Sequence, residues 1–138
     1  MERKCTNQPF LLLMHTSKAI QEKIRDRISS SKLNLTEFSV LEVLYHRGQQ
    51  TIQQIGSSIL ISSSSMTYVI DKLEQRGLLR RSPCANDRRV IHVVMTPEGT
   101  ALMDEIMPEH HEMVDSMFGL LSEDEKQLFV ELLKKISV

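Results

Sequence analysis

The stretch Gly77 to Thr96, GLLRRSPCANDRRVIHVVMT, decides the fold. Its two arms, Leu78 to Ser82 and Val90 to Met95, alternate or run apolar, and the turn formers of Pro83 to Asp87 separate them, so a β-hairpin is predicted. Arg88 and Arg89 fall where the hairpin turns back and can project from the body of the protein. Guanidinium groups offer a rigid fork of donors that matches phosphate oxygens. An exposed pair on a projecting ribbon therefore suits a nucleic-acid backbone or groove.

Upstream of the hairpin, Met66, Val69, Ile70 and Leu73 recur at helical spacing, and Gly77 stands in the position of a left-handed helix terminator. The segment Ser62 to Ser65 is predicted to open this helix. The face opposite its apolar stripe carries Ser64, Tyr68, Asp71 and Gln75, with Thr67 and Lys72 on the shoulders. Small hydroxyls and one aromatic ring can approach base edges closely; the alternative is that the serines only cap the helix and meet solvent. Further upstream, Thr51-Ile-Gln-Gln54 forms a capping box for a two-turn helix. Thr36 is predicted to cap another, with Phe38, Leu41, Leu44 and Tyr45 on its buried face and Gly48 closing it. Phe10, Leu13, Met14, Ile20, Ile24 and Ile28 mark a first helix from about Pro9 to the serine cluster at Ser29.

Downstream, Thr96-Pro97-Glu98 supplies a cap, a proline at the first helical position and an acid in the first turn. A long helix through Leu102, Ile106, Met113, Met117 and Leu120 follows, with Pro108 expected to kink it. Ser122 to Glu125 is a second capping box, and Leu128, Phe129, Leu132, Leu133 and Ile136 form a stripe broad enough to need a partner. The terminal helices thus look able to complete one another across a two-fold axis.

At 138 residues the chain has the length of a single domain that can bury a core without a metal or disulfide. Cys5 and Cys84 lie far apart without C-x-x-C spacing, which fits a reducing, cytoplasmic setting. No apolar run reaches membrane-spanning length. The net charge of −1 is unevenly spread: residues 96–138 hold ten acids against three lysines, a balance of −7, and residues 1–95 carry +6. Such asymmetry suggests one part that meets a polyanion and another kept away from it, although acidic helices also simply solvate well.

Taken together, SSSSMTYVIDKLEQRGLLRR (Ser62 to Arg81), Asp87-Arg88-Arg89 and VVMTPEG (Val93 to Gly99), in this order and spacing, resemble the MarR family of winged helix-turn-helix transcription regulators over nearly the whole chain. The resemblance implies a mainly α fold with a small β-hairpin wing. It implies one domain, 1–138, with a winged helix-turn-helix region at 33–98 and dimerisation helices at 9–30 and 100–138. It also implies a homodimer docked on a pseudo-palindromic double-stranded DNA operator. Ser63, Ser64, Ser65, Thr67 and Tyr68 would then face the major groove, with Lys72 in the same DNA-binding set. Arg88 and Arg89 would reach the minor groove or its phosphates, and Asp87 would orient an arginine. Arg76, Arg80 and Arg81 stay open between phosphate contacts and other roles, since Arg76 and Arg80 can instead pair with Asp71, Glu74 or an acidic terminal helix.

The resemblance further implies a repressor released by a small aromatic or electrophilic effector. Leu12, His15, Tyr45, His46, Met107 and His111 are candidate pocket residues, against the alternative of ordinary packing. Some members of the family sense oxidants through a cysteine near the first helix. Cys5, beside Arg3 and Lys4, and Cys84 on the wing are therefore redox candidates, against the alternative of incidental thiols. No phosphate loop, nucleophile elbow or H-E-x-x-H motif occurs, so no enzyme and no cofactor is expected. His110 and His111 diverge by about 100° on a helix and cannot easily share an ion; His111 and Asp115 at i, i+4 could, against the alternative of solvated helix residues, and no metal is expected. The rival from another class is a winged-helix module for protein partners that never binds DNA.

Overall fold

In the computed structural model of the protein, residues 7–59 and 65–137 are described. Helix α1 spans Gln8–Ile28; the Asn7 side chain accepts from the backbone N–H of Phe10, 2.9 Å, and Pro9 sits in the first turn where its missing donor costs nothing. A 3-10 turn, Ser29–Ser31, ends the helix, and Lys32 takes the left-handed conformation, φ 61°, to return its N–H to the Ser29 carbonyl.

Helix α2 spans Leu35–Arg47, and its cap is Asn34 rather than the expected Thr36. Asn34 Oδ1 accepts from the Glu37 N–H at 2.8 Å while Glu37 Oε1 accepts from the Asn34 N–H at 3.0 Å. The reciprocal pair satisfies two exposed donors at once, whereas Thr36 is already inside the first turn and buried. Gly48 closes the helix at φ 74°, its N–H on the Leu44 carbonyl.

Strand β1, Gln50–Thr51, leads into α3, Ile52–Ser58, through the Thr51–Gln54 capping box. Helix α4 spans Met66–Gln75, so among the described residues it begins after Ser65, whose side chain makes no capping hydrogen bond. Its far end is a Schellman closure. The Gly77 N–H reaches the Glu74 carbonyl, the Leu78 N–H reaches the Leu73 carbonyl, and Gly77 has φ 75°, which only glycine adopts without strain.

The hairpin strands are β2, Leu79–Pro83, and β3, Ile91–Met95, each starting one residue later than its expected bound. They pair antiparallel, Leu79 opposite Met95 through Pro83 opposite Ile91. The sheet has a third strand that periodicity does not announce: β1 pairs with β3, giving the order β1-β3-β2. Pro83, which has no N–H to donate, therefore lies on an edge strand, where that loss is tolerated.

Helix α5 spans Pro97–Met117 and contains Pro108. Thr96 Oγ1 accepts from the Gly99 N–H and donates to the Gly77 carbonyl at 2.6 Å, fixing the helix start against the turn that precedes β2. Helix α6 spans Glu123–Lys135, opened by the Ser122–Glu125 capping box.

By compactness the chain divides into two units, residues 1–104 and 105–138. In the first, Leu41, Ile55, Ile70, Leu73, Leu79 and Val93 are each exposed by 1% or less, drawing α2, α3, α4, β2 and β3 onto one core. In the second, the Phe118 and Phe129 rings lie 6.2 Å apart, while Leu128, Leu132, Leu133 and Ile136 remain exposed on and just after α6. The amino-terminal half of α1 is likewise uncovered, with Phe10, Leu12 and Met14 each more than half exposed.

Candidate nucleic-acid interface

Helix α4 divides cleanly. Val69, Ile70 and Leu73 are buried, and Thr67, Tyr68, Asp71, Lys72 and Gln75 are exposed. The burial of one stripe therefore forces the polar set outward. The Lys72 ammonium stands 5.2 Å from the Tyr68 ring centroid, a cation–π approach that orders two long side chains on the same face. Ser65 is exposed at the head of the helix; Ser63 and Ser64 lie outside the described residues.

The hairpin tip is built by Asp87. Its Oδ1 accepts from the Arg89 N–H at 3.0 Å and lies 3.7 Å from Arg89 Nε, while its carbonyl accepts from the Val90 N–H at 3.1 Å. A carboxylate that both closes the turn and faces a guanidinium fixes the base of Arg89 and leaves its end free. The Arg89 side chain is 94% exposed, and Arg88 is exposed beside it. The Cys84 N–H bonds the Val90 carbonyl across the root of the turn, and its thiol is free and part-buried. Cys5 lies outside the described residues.

The remaining arginines of this region differ from one another. Arg76 donates to the backbone carbonyls of Ser31 and Lys32, both at 3.0 Å, so it satisfies the turn after α1 rather than an acid. Arg80 is exposed. Arg81 is the residue that pairs with Asp71 and Glu74: Nη1 donates to Glu74 Oε1 at 2.8 Å, its backbone N–H to Glu74 Oε2 at 2.9 Å, and Nη2 to Asp71 Oδ1. Partial burial disfavours its charge, but hydrogen bonding to the two acids outweighs this and holds Arg81 above its ordinary pKa. Strand alternation held the signal for this pair, since Leu79 is buried and Arg81, two residues on, shares its face.

Two clefts adjoin this surface. One, about 270 Å³, is lined by Thr51, Ile52, Gln53, Arg89, Val90 and Ile91; the other, about 340 Å³, by Arg47, Gln50, Gln53, Gln54, Ser57 and Ser58. Arg47 donates to the Ser58 hydroxyl at 3.0 Å in the second.

Among the candidate effector residues, Leu12, His15 and His46 are exposed in the first unit, and Tyr45 is half-buried. The Tyr45 hydroxyl donates to Asp104 Oδ1 at 2.6 Å, and that bond raises the Tyr45 pKa above the usual phenol value. The His46 ring meets the Tyr45 ring edge-on at 5.5 Å. In the second unit Met107 is buried and His111 exposed. Among the described residues no three His, Cys, Asp or Glu side chains cluster as metal ligands, and no helix is long and apolar enough to cross a membrane.

A family model described as MarR family matches residues 33–91, the span from the end of the 3-10 turn to the start of β3. The HTH-type transcriptional regulator MhqR of Bacillus subtilis (strain 168) is 43% identical over 129 residues, covering 94% of this chain and 89% of its own. The HTH-type transcriptional regulator PecS of Dickeya dadantii (strain 3937) is 34% identical, covering 94% of this chain and 81% of its own. Among solved structures, Bordetella bronchiseptica BpsR, described for the regulation of its DNA binding by 6-hydroxynicotinic acid, superposes with a TM-score of 0.81 at 30% identity, covering 98% of this chain and 96% of its own.

Proposed function

We propose, from the premise that this chain belongs to the MarR family of transcription regulators, that it is a homodimeric repressor of duplex DNA released from its operator by a small effector. The observation that carries the DNA-binding part is the outward set of Thr67, Tyr68 and Lys72 on α4, together with the exposed side chains of Arg88 and Arg89 on the hairpin tip. Thr67 and Tyr68, with Ser63, Ser64 and Ser65 ahead of them, read base edges in the major groove, where hydroxyls accept or donate to either base and the aromatic ring touches a thymine methyl group. Lys72 neutralises phosphate, Arg88 and Arg89 enter the neighbouring minor groove or bind its phosphates, and Asp87 holds Arg89 for that contact.

The second partner is another copy of the chain, which covers the exposed apolar residues of α1 and α6 and presents the two reading helices to the halves of a pseudo-palindrome. The effector is a small aromatic or electrophilic compound. The BpsR likeness favours a hydroxylated aromatic acid, and Leu12, His15, Tyr45, His46, Met107 and His111 are the side chains proposed to meet it. Such a ligand releases DNA only if it binds more tightly to the form whose reading helices mismatch the half-sites.

The test is fluorescence anisotropy on labelled duplexes tiling the region upstream of the protein's own gene, with a scrambled duplex as control, followed by addition of hydroxylated aromatic acids to the bound complex. The expected result is one duplex bound about 10³-fold or more tightly than the scrambled one, and a fall in anisotropy on effector addition. Equal weak binding to every duplex from this region and to genome fragments selected at random would overturn the reading and favour a module for protein partners.

A further inference from the structure

Beyond their shared apolar core, the hairpin and α4 are tied by the polar side chain of Arg81. Arg81 stands on β2, half-buried at 23% exposure, and its guanidinium and backbone N–H engage two carboxylates one helical turn apart on α4. Three donors of one residue thus meet three oxygens on Asp71 and Glu74. Two acceptors spaced at i and i+3 on one helix, approached by a planar fork from a neighbouring strand, fix the strand's height along the helix and its rotation about it. The strand leads directly to the turn that carries Arg88 and Arg89, and Asp71 lies beside the exposed Tyr68 and Lys72.

We propose that Arg81, with Asp71 and Glu74, is a positioning device that sets the distance between the hairpin tip and the reading helix, and so the operator preference of the protein. This rests on the DNA-binding reading above. Arg81 itself touches no nucleic acid in this scheme. It acts through the residues on either side of it: the arginines at the tip contact the backbone and the α4 face contacts bases, and both sets fit one duplex only when the two elements are held in one relation.

The geometry and the charge of this cluster make opposite predictions, which allows a decisive experiment on the full-length protein. Replacing Asp71→Asn and Glu74→Gln together removes two negative charges per chain. If these acids only repel DNA, affinity for the operator duplex and for a scrambled duplex rises by the same factor and their ratio is unchanged. If they anchor the wing, scrambled-duplex affinity rises while the operator-to-scrambled ratio falls by about tenfold, the scale of one mismatched base pair. Arg81→Lys is the companion variant. It keeps the charge and the backbone N–H bond to Glu74 but cannot fork across Glu74 Oε1 and Asp71 Oδ1, so it leaves scrambled-duplex affinity and the salt slope unchanged and lowers the ratio by a similar factor.

A purely stabilising role would lower the thermal midpoint of both variants and leave the ratio of the folded protein at its wild-type value. That outcome, or a ratio preserved in Arg81→Lys, overturns the proposal while leaving the regulator reading intact. A wild-type protein with no operator preference would instead remove the regulator reading and this proposal with it.

Discussion

Gly99 is the residue whose identity the structure dictates most narrowly. A Cβ built there would lie 2.0 Å from the Leu78 carbonyl oxygen and 2.9 Å from the Met95 side chain. Backbone is the obstacle, so no rotamer change relieves it. Gly99→Ala is expected to destabilise the protein by about 3 kcal/mol, the upper end for overpacking in a close-packed site, read as a lowered midpoint in urea with an unchanged slope. This constraint is only partly legible in the chain. Thr96-Pro97-Glu98 announces a helix start by local chemistry, but the approach of the Gly99 backbone to the Gly77–Leu78 turn is a tertiary fact. The arginines teach the same lesson. Spacing offers Arg76 and Arg80 as partners of Asp71 and Glu74, and the structure gives the acids to Arg81 and sends Arg76 to the Ser31 and Lys32 carbonyls. The three arginines carry the same charge and have the same reach; only strand alternation, which puts Arg81 on the face of buried Leu79 and turns Arg80 away, separates them.

At the scale of elements, segments defined by reciprocal side-chain and backbone pairs are readable from the chain. Thr51–Gln54, Ser122–Glu125 and the Gly77 terminator all fall where local hydrogen bonding requires them. Helix α2 is the instructive exception. Two polar residues, Asn34 and Thr36, stand ahead of the apolar run, and only Asn34 has a Glu three residues later to answer it. The expected cost of Asn34→Ala is therefore about 1 kcal/mol, whereas removing the Thr36 hydroxyl leaves the cap intact; paired thermal melts distinguish the two. Strand β1 is invisible to periodicity because two residues carry none. Its pairing is set by β3, whose Val93 is fully buried between Gln50 on one side and Arg81 on the other. Helix α4 is legible in position and polarity, while the serines expected to open it fall largely outside the described residues.

At the scale of the molecule, the apolar faces of α1 and α6 are the features a single chain leaves uncovered. Leu128 is 53% and Leu132 51% exposed, four residues apart on one side of α6. On the homodimer reading proposed above, a stripe of this kind is expected to face a second copy. Leu128→Glu with Leu132→Glu should convert the protein to a monomer by sedimentation velocity, with the helical signal of the folded chain retained and operator affinity sharply reduced. A variant that stays dimeric would place the interface elsewhere. The charge division seen along the chain, +6 over residues 1–95 and −7 over residues 96–138, suits a polyanion that meets the part of the chain carrying α4 and the hairpin.

If the hairpin tip and α4 together bind duplex DNA, the salt dependence of operator affinity must report the phosphates they neutralise. For the wild-type protein, the logarithm of the association constant should fall linearly with the logarithm of salt concentration. Arg88→Ala with Arg89→Ala should weaken binding and reduce that slope by about 0.9 for each phosphate the tip no longer neutralises. Dimerisation and thermal stability should be unchanged, because both side chains are exposed and the turn is held by the Asp87 carboxylate and carbonyl accepting from the backbone N–H groups of residues 89 and 90, which the substitutions keep. An arginine-free tip that binds the operator with the wild-type affinity and slope would show that the hairpin makes no contact with DNA.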